Sequence, residues 1–276
     1  MTVVNYFQSA FKIFLIYFQY AQYYYRVNEL ISENPRVAFF DSGIGGLNLL
    51  AECVRRLPYA NFTYFADNYN MPYGALGSNE LLIKIDEIFE TIAAYAPHVA
   101  VIACNTVTAV CAKQLRGKYS FPIVGVEPAI KPAAQKGGKC LVLSTPVTAN
   151  SASISTLLKK YGNGITEVVA CPNLAEYIER NIFNIEEREI IKLLPKCSPD
   201  RVVLGCTHYT YIKDIVKRFY DCEIYDVIYG AANRLCNILA QNCPRMAPSD
   251  SLIAFSGGDV SKNKAVFSTF FPNLNA

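Results

Sequence analysis

From Arg36 onward, short β-prone apolar runs alternate with helical patterns. They are RVAFF at 36–40, FTYFA at 62–66, HVAVIAC at 98–104, FPIVGV at 121–126, KCLVLST at 139–145, TEVVAC at 166–171 and RVVLGC at 201–206. The first run passes through the tight loop DSGIGG into a helical stretch at 47–57, which makes a βα unit. Strands alternating with helices specify a parallel-rich α/β fold. The chain's 276 residues suit one large domain or two modest ones, and 52% apolar content supplies ample core. Around 128–139 the composition shifts, with Pro128, Pro132, Gly137 and Gly138, as expected where two lobes connect. The expected division is a first lobe from 36–128 with 227–276 and a second lobe from 129–226.

Residues 1–35 differ from everything after them. From Tyr6 to Tyr25 there are ten aromatics, with Lys12 the only charge. Phe7, Phe11, Phe14 and Phe18 fall at helical spacing, but no basic face accompanies them. Gln8, Ser9, Lys12, Gln19 and Gln22 interrupt the stretch, and no basic segment precedes it, so neither a signal peptide nor a bilayer span is expected. The reading is a translated upstream segment or appendage ahead of a fold that starts near Arg36, with no membrane partner.

Charge and cysteine usage narrow the function classes. A net charge of +3 with scattered basic residues does not indicate nucleic acid. Ten cysteines spread over this length lack the dense spacing of a disulfide framework, which points to reduced thiols in the cytoplasm. There is no Cys-x-x-Cys pair, and His98 and His208 are the only histidines, so no metal site is expected. His98, following Pro97 at the start of a strand, reads as structural.

Two of the cysteines stand apart. Cys104 in VIACNT and Cys206 in VVLGCTH each close an apolar run and are followed at once by hydrogen-bonding side chains. A working thiolate needs such donors and a group that can hold its proton, whereas a packed cysteine needs only apolar neighbours. Thiols at strand ends sit where open α/β sheets place their ligand crevices. The matched VIACNT and VLGCTH strings hint at an internal pseudo-repeat with one thiol from each lobe across a cleft. In DSGIGG the glycine spacing fits neither the dinucleotide fingerprint nor a P-loop. What remains is a helix N-terminus with Gly43, Gly45 and Gly46 allowing close approach, beside Asp41 and Ser42, suited to a carboxylate or to simple capping.

DSGIGG at 41–46, YFADNYNMPYG at 64–74, CNT at 104–106, VGVEP at 124–128, TPVTANS at 145–151 and GCTHY at 205–209, in this order, resemble glutamate racemase. The resemblance covers about 37–259 and implies two similar parallel-rich α/β lobes with the active site in the cleft between them. It also implies cofactor-independent interconversion of L- and D-glutamate, supplying D-glutamate for peptidoglycan. In that family two cysteines face opposite sides of the substrate Cα. Cys104 is then the thiol that takes the proton from D-glutamate, assisted by Asp41, and Cys206 the one that takes it from L-glutamate, assisted by His208. Ser42, Tyr73, Gly74, Asn105, Thr106, Thr148 and Thr207 match substrate-holding positions, Asp41 and His208 lie beside the substrate, and Glu127 matches an accessory position.

The chemistry agrees with these residue types. Removing an α-proton demands a strong base and stabilised carbanionic charge. A cysteine near its reference value of about 8.5 can be an acid while its partner is a base. The chain departs from the family at Ala66 for Gly, Val107 for Ala and Thr210-Tyr211 for Pro-Leu, and Tyr69 and Asn70 replace small and basic residues. The alternatives are an aspartate racemase or a non-catalytic amino-acid-binding protein on the same fold. A homodimer is expected.

Overall fold

The computed structural model describes residues 34–162, 164–242 and 251–274. The aromatic-rich segment therefore lies outside the described residues up to position 33. Nine strands are described: β1 Arg36–Asp41, β2 Asn61–Ala66, β3 Val99–Ile102, β4 Ile123–Gly125, β5 Cys140–Ser144, β6 Thr166–Ala170, β7 Arg201–Leu204, β8 Glu223–Tyr225 and β9 Ile253–Ser256. They form a five-stranded sheet in the order β4-β3-β1-β2-β9 and a four-stranded sheet in the order β6-β5-β7-β8. Every pairing is parallel, with Phe40 of β1 between Phe65 and Ile102 in the first sheet and Leu143 of β5 between Val169 and Leu204 in the second. The result is two α/β lobes, as the alternation of strand and helix patterns requires.

The seven apolar runs read from sequence each carry a strand. Reading the runs misses β8 and β9, and the reason is visible in their burial. Both are edge strands and only partly buried, whereas the central strands β1, β3, β5 and β7 are buried along nearly their whole length. The helix after DSGIGG spans Leu47–Arg56 and buries Leu47, Leu50, Ala51 and Val54, an i, i+3, i+4, i+7 face laid on the first sheet. Phe39 and Phe62 meet edge to face at 5.9 Å beneath it. Each such fully buried ring contributes about 1.5–3 kcal/mol relative to exposure. His98 is structural, its Nδ1 accepting from the Arg36 backbone N–H at 3.0 Å.

Because all strands run the same way, their carboxyl ends gather the loops. Asp41 ends β1, Cys104 stands two residues beyond β3, Thr145 follows β5, and Cys206 stands two residues beyond β7. Among the described residues no helix is long and apolar enough to cross a membrane. Among them, too, no group of three or more His, Cys, Asp and Glu side chains could hold a metal ion.

Candidate active site

Cys104 and Cys206 occupy matched places. Each has extended backbone and immediately precedes a helical turn, Asn105–Lys118 for the first and the 3-10 turn Thr207–Ile212 for the second. Both side chains are buried. The next residue in each case begins the turn, so Asn105, Thr106, Thr207 and His208 are wound back around the thiols and are themselves buried.

Each thiol has its own polar partner. Ser42 Oγ lies 3.7 Å from Cys104 Sγ and donates to Asp41 Oδ1 at 3.2 Å. His208 Nδ1 lies 3.9 Å from Cys206 Sγ. Burial, reinforced by the nearby Asp41 charge, pushes the Cys104 thiol up to about 12. The Asp41 carboxyl is also raised, by its complete burial against the opposing pull of His208. Thr207 Oγ1 donates to Asp41 Oδ2 at 3.2 Å, tying the two half-sites together.

Sequence reading missed Glu179, which orders the Cys206 side. It lies on the helix Leu174–Asn181 and is buried with Leu174, Ala175 and Ile178. Its Oε2 lies 2.9 Å from His208 Nε2 and accepts from the Ile44 N–H at 2.9 Å, while its Oε1 accepts from Asn68 Nδ2 at 2.9 Å and Lys262 Nζ at 2.8 Å. Burial alone would raise this carboxyl, but His208, the Ile44 amide and Lys262 overcome it and hold it down at about 2. Burial by itself would deprotonate His208, yet Cys206 and Glu179 draw its proton affinity up to about 10. His208 thus lies buried between the Glu179 carboxylate and the Cys206 sulfur, both of which favour its protonated form. The one available signal was a charged residue on an apolar helical face: in LAEYIE, Glu179 follows Ile178 on the side that packs inward.

The remaining sequence-derived residues fall into two groups. Thr106, Thr145 and Thr148 close a ring of hydroxyls, with Oγ1 separations of 3.1, 2.9 and 3.2 Å. Thr145 belongs to this ring although sequence reading picked only its neighbour Thr148. Asn105 Nδ2 donates to the Val126 carbonyl at 3.1 Å, leaving its buried Oδ1 without a protein partner. Tyr73 is buried with its hydroxyl on Asp67 Oδ2. Gly74 passes so close to Thr145 that a Cβ would come within 2.8 Å of that side chain. A cavity of about 700 Å³ opens beside the hydroxyl ring, lined by Gly74, Thr145, Val147, Ser151, Cys171 and Asn173 among others. Neither thiol lines it. Tyr69 stands exposed, and Asn70 Nδ2 donates to Asp67 Oδ1 at 2.7 Å. Glu127, by contrast, is exposed and outside this hydrogen-bonded set.

The arrangement therefore offers two thiols with separate proton-handling partners, plus hydroxyl and amide groups that can hold carboxylates and an ammonium. Comparison with known proteins places it. The family model described as Asp/Glu/Hydantoin racemase matches residues 75–234. A glutamate racemase of Clostridium novyi (strain NT) is 37% identical over 218 residues, covering 75% of this chain and 84% of that protein. Glutamate racemase 2 of Bacillus subtilis (strain 168) is 32% identical over 250 residues, covering 85% and 93%. The crystal structure of Escherichia coli glutamate racemase, in complex with L-glutamate and the activator UDP-MurNAc-Ala, superposes with a TM-score of 0.75 at 28% identity, covering 87% of this chain and 95% of that one. The chain with this pair of buried, separately partnered thiols belongs to the Asp/Glu/hydantoin racemase family and is a racemase related to the glutamate racemases.

Proposed function

We propose that the chain interconverts L- and D-glutamate by proton abstraction and return at the α-carbon through Cys104 and Cys206. The observation that carries this reading is the placement of the two thiols at equivalent strand ends, each beside its own proton-handling group. In the L-to-D direction the Cys206 thiolate, whose own proton rests on His208 3.9 Å away, takes the α-proton. Cys104, neutral because burial raises it to about 12, donates to the opposite face. The reverse direction uses Cys104 as base, its own proton passing by way of the Ser42 hydroxyl to the Asp41 carboxylate, whose proton affinity burial raises. Two thiols make inversion efficient, since a single base returns a proton mostly to the face it left.

Substrate is held by the groups around the thiols. The free Asn105 Oδ1 is an acceptor for the ammonium, and Ser42, Thr106, Thr148, Thr207, Tyr73 and the Gly74 backbone hold the carboxylates. Desolvation in so buried a site strengthens each of these contacts. Glu127 has at most an accessory role from its exposed position. The D-glutamate product would serve peptidoglycan synthesis in the cytoplasm, by a homodimer whose subunits each divide into 36–128 with 227–276 and 129–226.

Circular-dichroism polarimetry with L-glutamate, D-glutamate and L-aspartate separately, under thiol reductant, tests the assignment. Decay of the signal to zero from either glutamate enantiomer is expected. Decay with aspartate alone moves the activity to that substrate, and binding without decay makes the chain a non-catalytic binder.

A further inference from the structure

The loop between Asp41 and Gly46 belongs to the first lobe, yet at Ile44 it is gripped on both sides by the second. The Ile44 N–H donates to Glu179 Oε2 at 2.9 Å, and the Ile44 carbonyl accepts from the Tyr211 hydroxyl at 3.0 Å. The Tyr211 ring is fixed in turn against Phe270, edge to face at 5.2 Å. A second bond runs beside it, Asn48 Nδ2 donating to Thr210 Oγ1 at 2.8 Å. Thr210 and Tyr211 stand where the resemblance leads one to expect Pro and Leu, and neither of those side chains has an atom that could make these bonds.

On the far side of Glu179, Lys262 Nζ donates both to Oε1 at 2.8 Å and to the Glu179 backbone carbonyl at 2.7 Å. Lys262 stands in the first turn of the helix Val260–Phe270, whose start is capped when Asp259 Oδ1 accepts from the Lys262 N–H at 2.9 Å. Asn263 and Asn68 exchange side-chain hydrogen bonds at 3.0 and 3.1 Å next to it. Glu179 is therefore pinned at its backbone and both oxygens, while one of those oxygens sets His208 and the position of Ile44 at once.

We propose that Tyr211 and Lys262 are positioning residues that clamp Ile44 and Glu179 between the lobes, so that the Asp41–Ser42 pair beside Cys104 and the His208 ring beside Cys206 are set by one rigid element. The proposal rests on the two-thiol reading above. Its physical basis is that misplacement of a reacting group by about 1 Å costs on the order of a hundredfold in rate, and the clamp fixes a loop that reaches both groups.

The test measures steady-state racemisation of Tyr211→Phe, Lys262→Met, the double variant and Lys262→Arg, with Cys104→Ser and Cys206→Ser alongside. Tyr211→Phe removes a single oxygen, and Lys262 is partly exposed, so far-ultraviolet dichroism should be unchanged in both. Each single variant is expected to lose roughly tenfold in kcat with KM within about twofold. The double variant should lose little more than the worse single, because residues acting as one unit are not additive. Lys262→Arg should restore most of the rate. Wild-type kcat in Tyr211→Phe, or losses that simply multiply in the double variant, overturns the clamp while the cysteine variants remain inactive. Retained activity in either cysteine variant instead overturns the two-thiol reading on which the clamp depends.

Discussion

His208 Nε2 lies 2.9 Å from Glu179 Oε2, and both side chains are almost wholly removed from solvent. A pair so buried gains little net stability from its Coulomb attraction, because both charges have left water. Its worth is in orientation. With Nε2 fixed on the carboxylate, Nδ1 is aimed at Cys206 Sγ, the arrangement by which a second partner fixes which ring nitrogen faces the reacting group.

Removing one partner of such a pair leaves the other charge buried and unmatched. Glu179→Gln is expected to destabilise the fold by about 3–5 kcal/mol and to reduce racemisation severely. Urea unfolding of wild type and variant measures the first and polarimetry the second. Unchanged stability would show that the buried carboxylate is not ionised.

The same pair fixes a pH dependence. Glu179 is held at about 2 against its ordinary 4.5, so its contribution is present above 4.5 and disappears as pH falls toward 2. His208 is raised to about 10 from 6.5, so its contribution is complete below 6.5 and disappears as pH rises toward 10. Both are whole only between about 4.5 and 6.5. Asp41, raised chiefly by burial, acts with the opposite sign on the acid side. The stability difference between wild type and Glu179→Gln should therefore be largest inside that window and shrink on both sides. A difference that stays flat from pH 3 to 9 contradicts it.

The legibility of this site in the sequence divides by chemistry. Cys104, Cys206, Ser42 and Thr207 were readable because each lies within three residues of the end of an apolar run, where a parallel sheet opens into loops. Glu179 and Thr145 were not singled out, and Tyr211 stood out only as a departure from the family. Glu179 and Tyr211 meet Ile44, and Thr145 meets Thr106, only where one lobe docks on the other. β9 escaped for a related reason, since it is a partly buried edge strand whose Ile253 pairs with the distant Phe62 of β2. Local pattern finds elements and strand ends, but leaves interlobe contacts unspecified.

Gly45 marks one such contact. A Cβ there would come within 2.6 Å of both His208 Nδ1 and Thr207 Oγ1 and within 2.9 Å of the His208 backbone nitrogen. Its backbone is not left-handed, so the obstacle is space and not strain. Gly45→Ala is expected to displace the His208–Thr207 turn and lower kcat by roughly a hundredfold while the protein stays folded. Near wild-type kcat would show that the turn yields without consequence for proton transfer.

The contrast between Cys104 and Cys197 gives a direct chemical measurement. Cys104 is buried with its thiol pushed up to about 12, by burial first and then by Asp41, whereas Cys197 is exposed, its thiol also raised by partial desolvation and by Glu167. Alkylation requires the thiolate, and a thiol near 12 is ionised to only about one part in 10⁵ at pH 7. Iodoacetamide at neutral pH should therefore label Cys197 well before Cys104, as peptide mass spectrometry can read. Denaturation should equalise the two, since burial is the larger cause of the difference. Equal labelling in the native protein would mean that Cys104 rests as a thiolate. The free enzyme would then hold its base on the Cys104 side, ready for the D enantiomer, rather than a neutral acid on the face opposite the L substrate's proton.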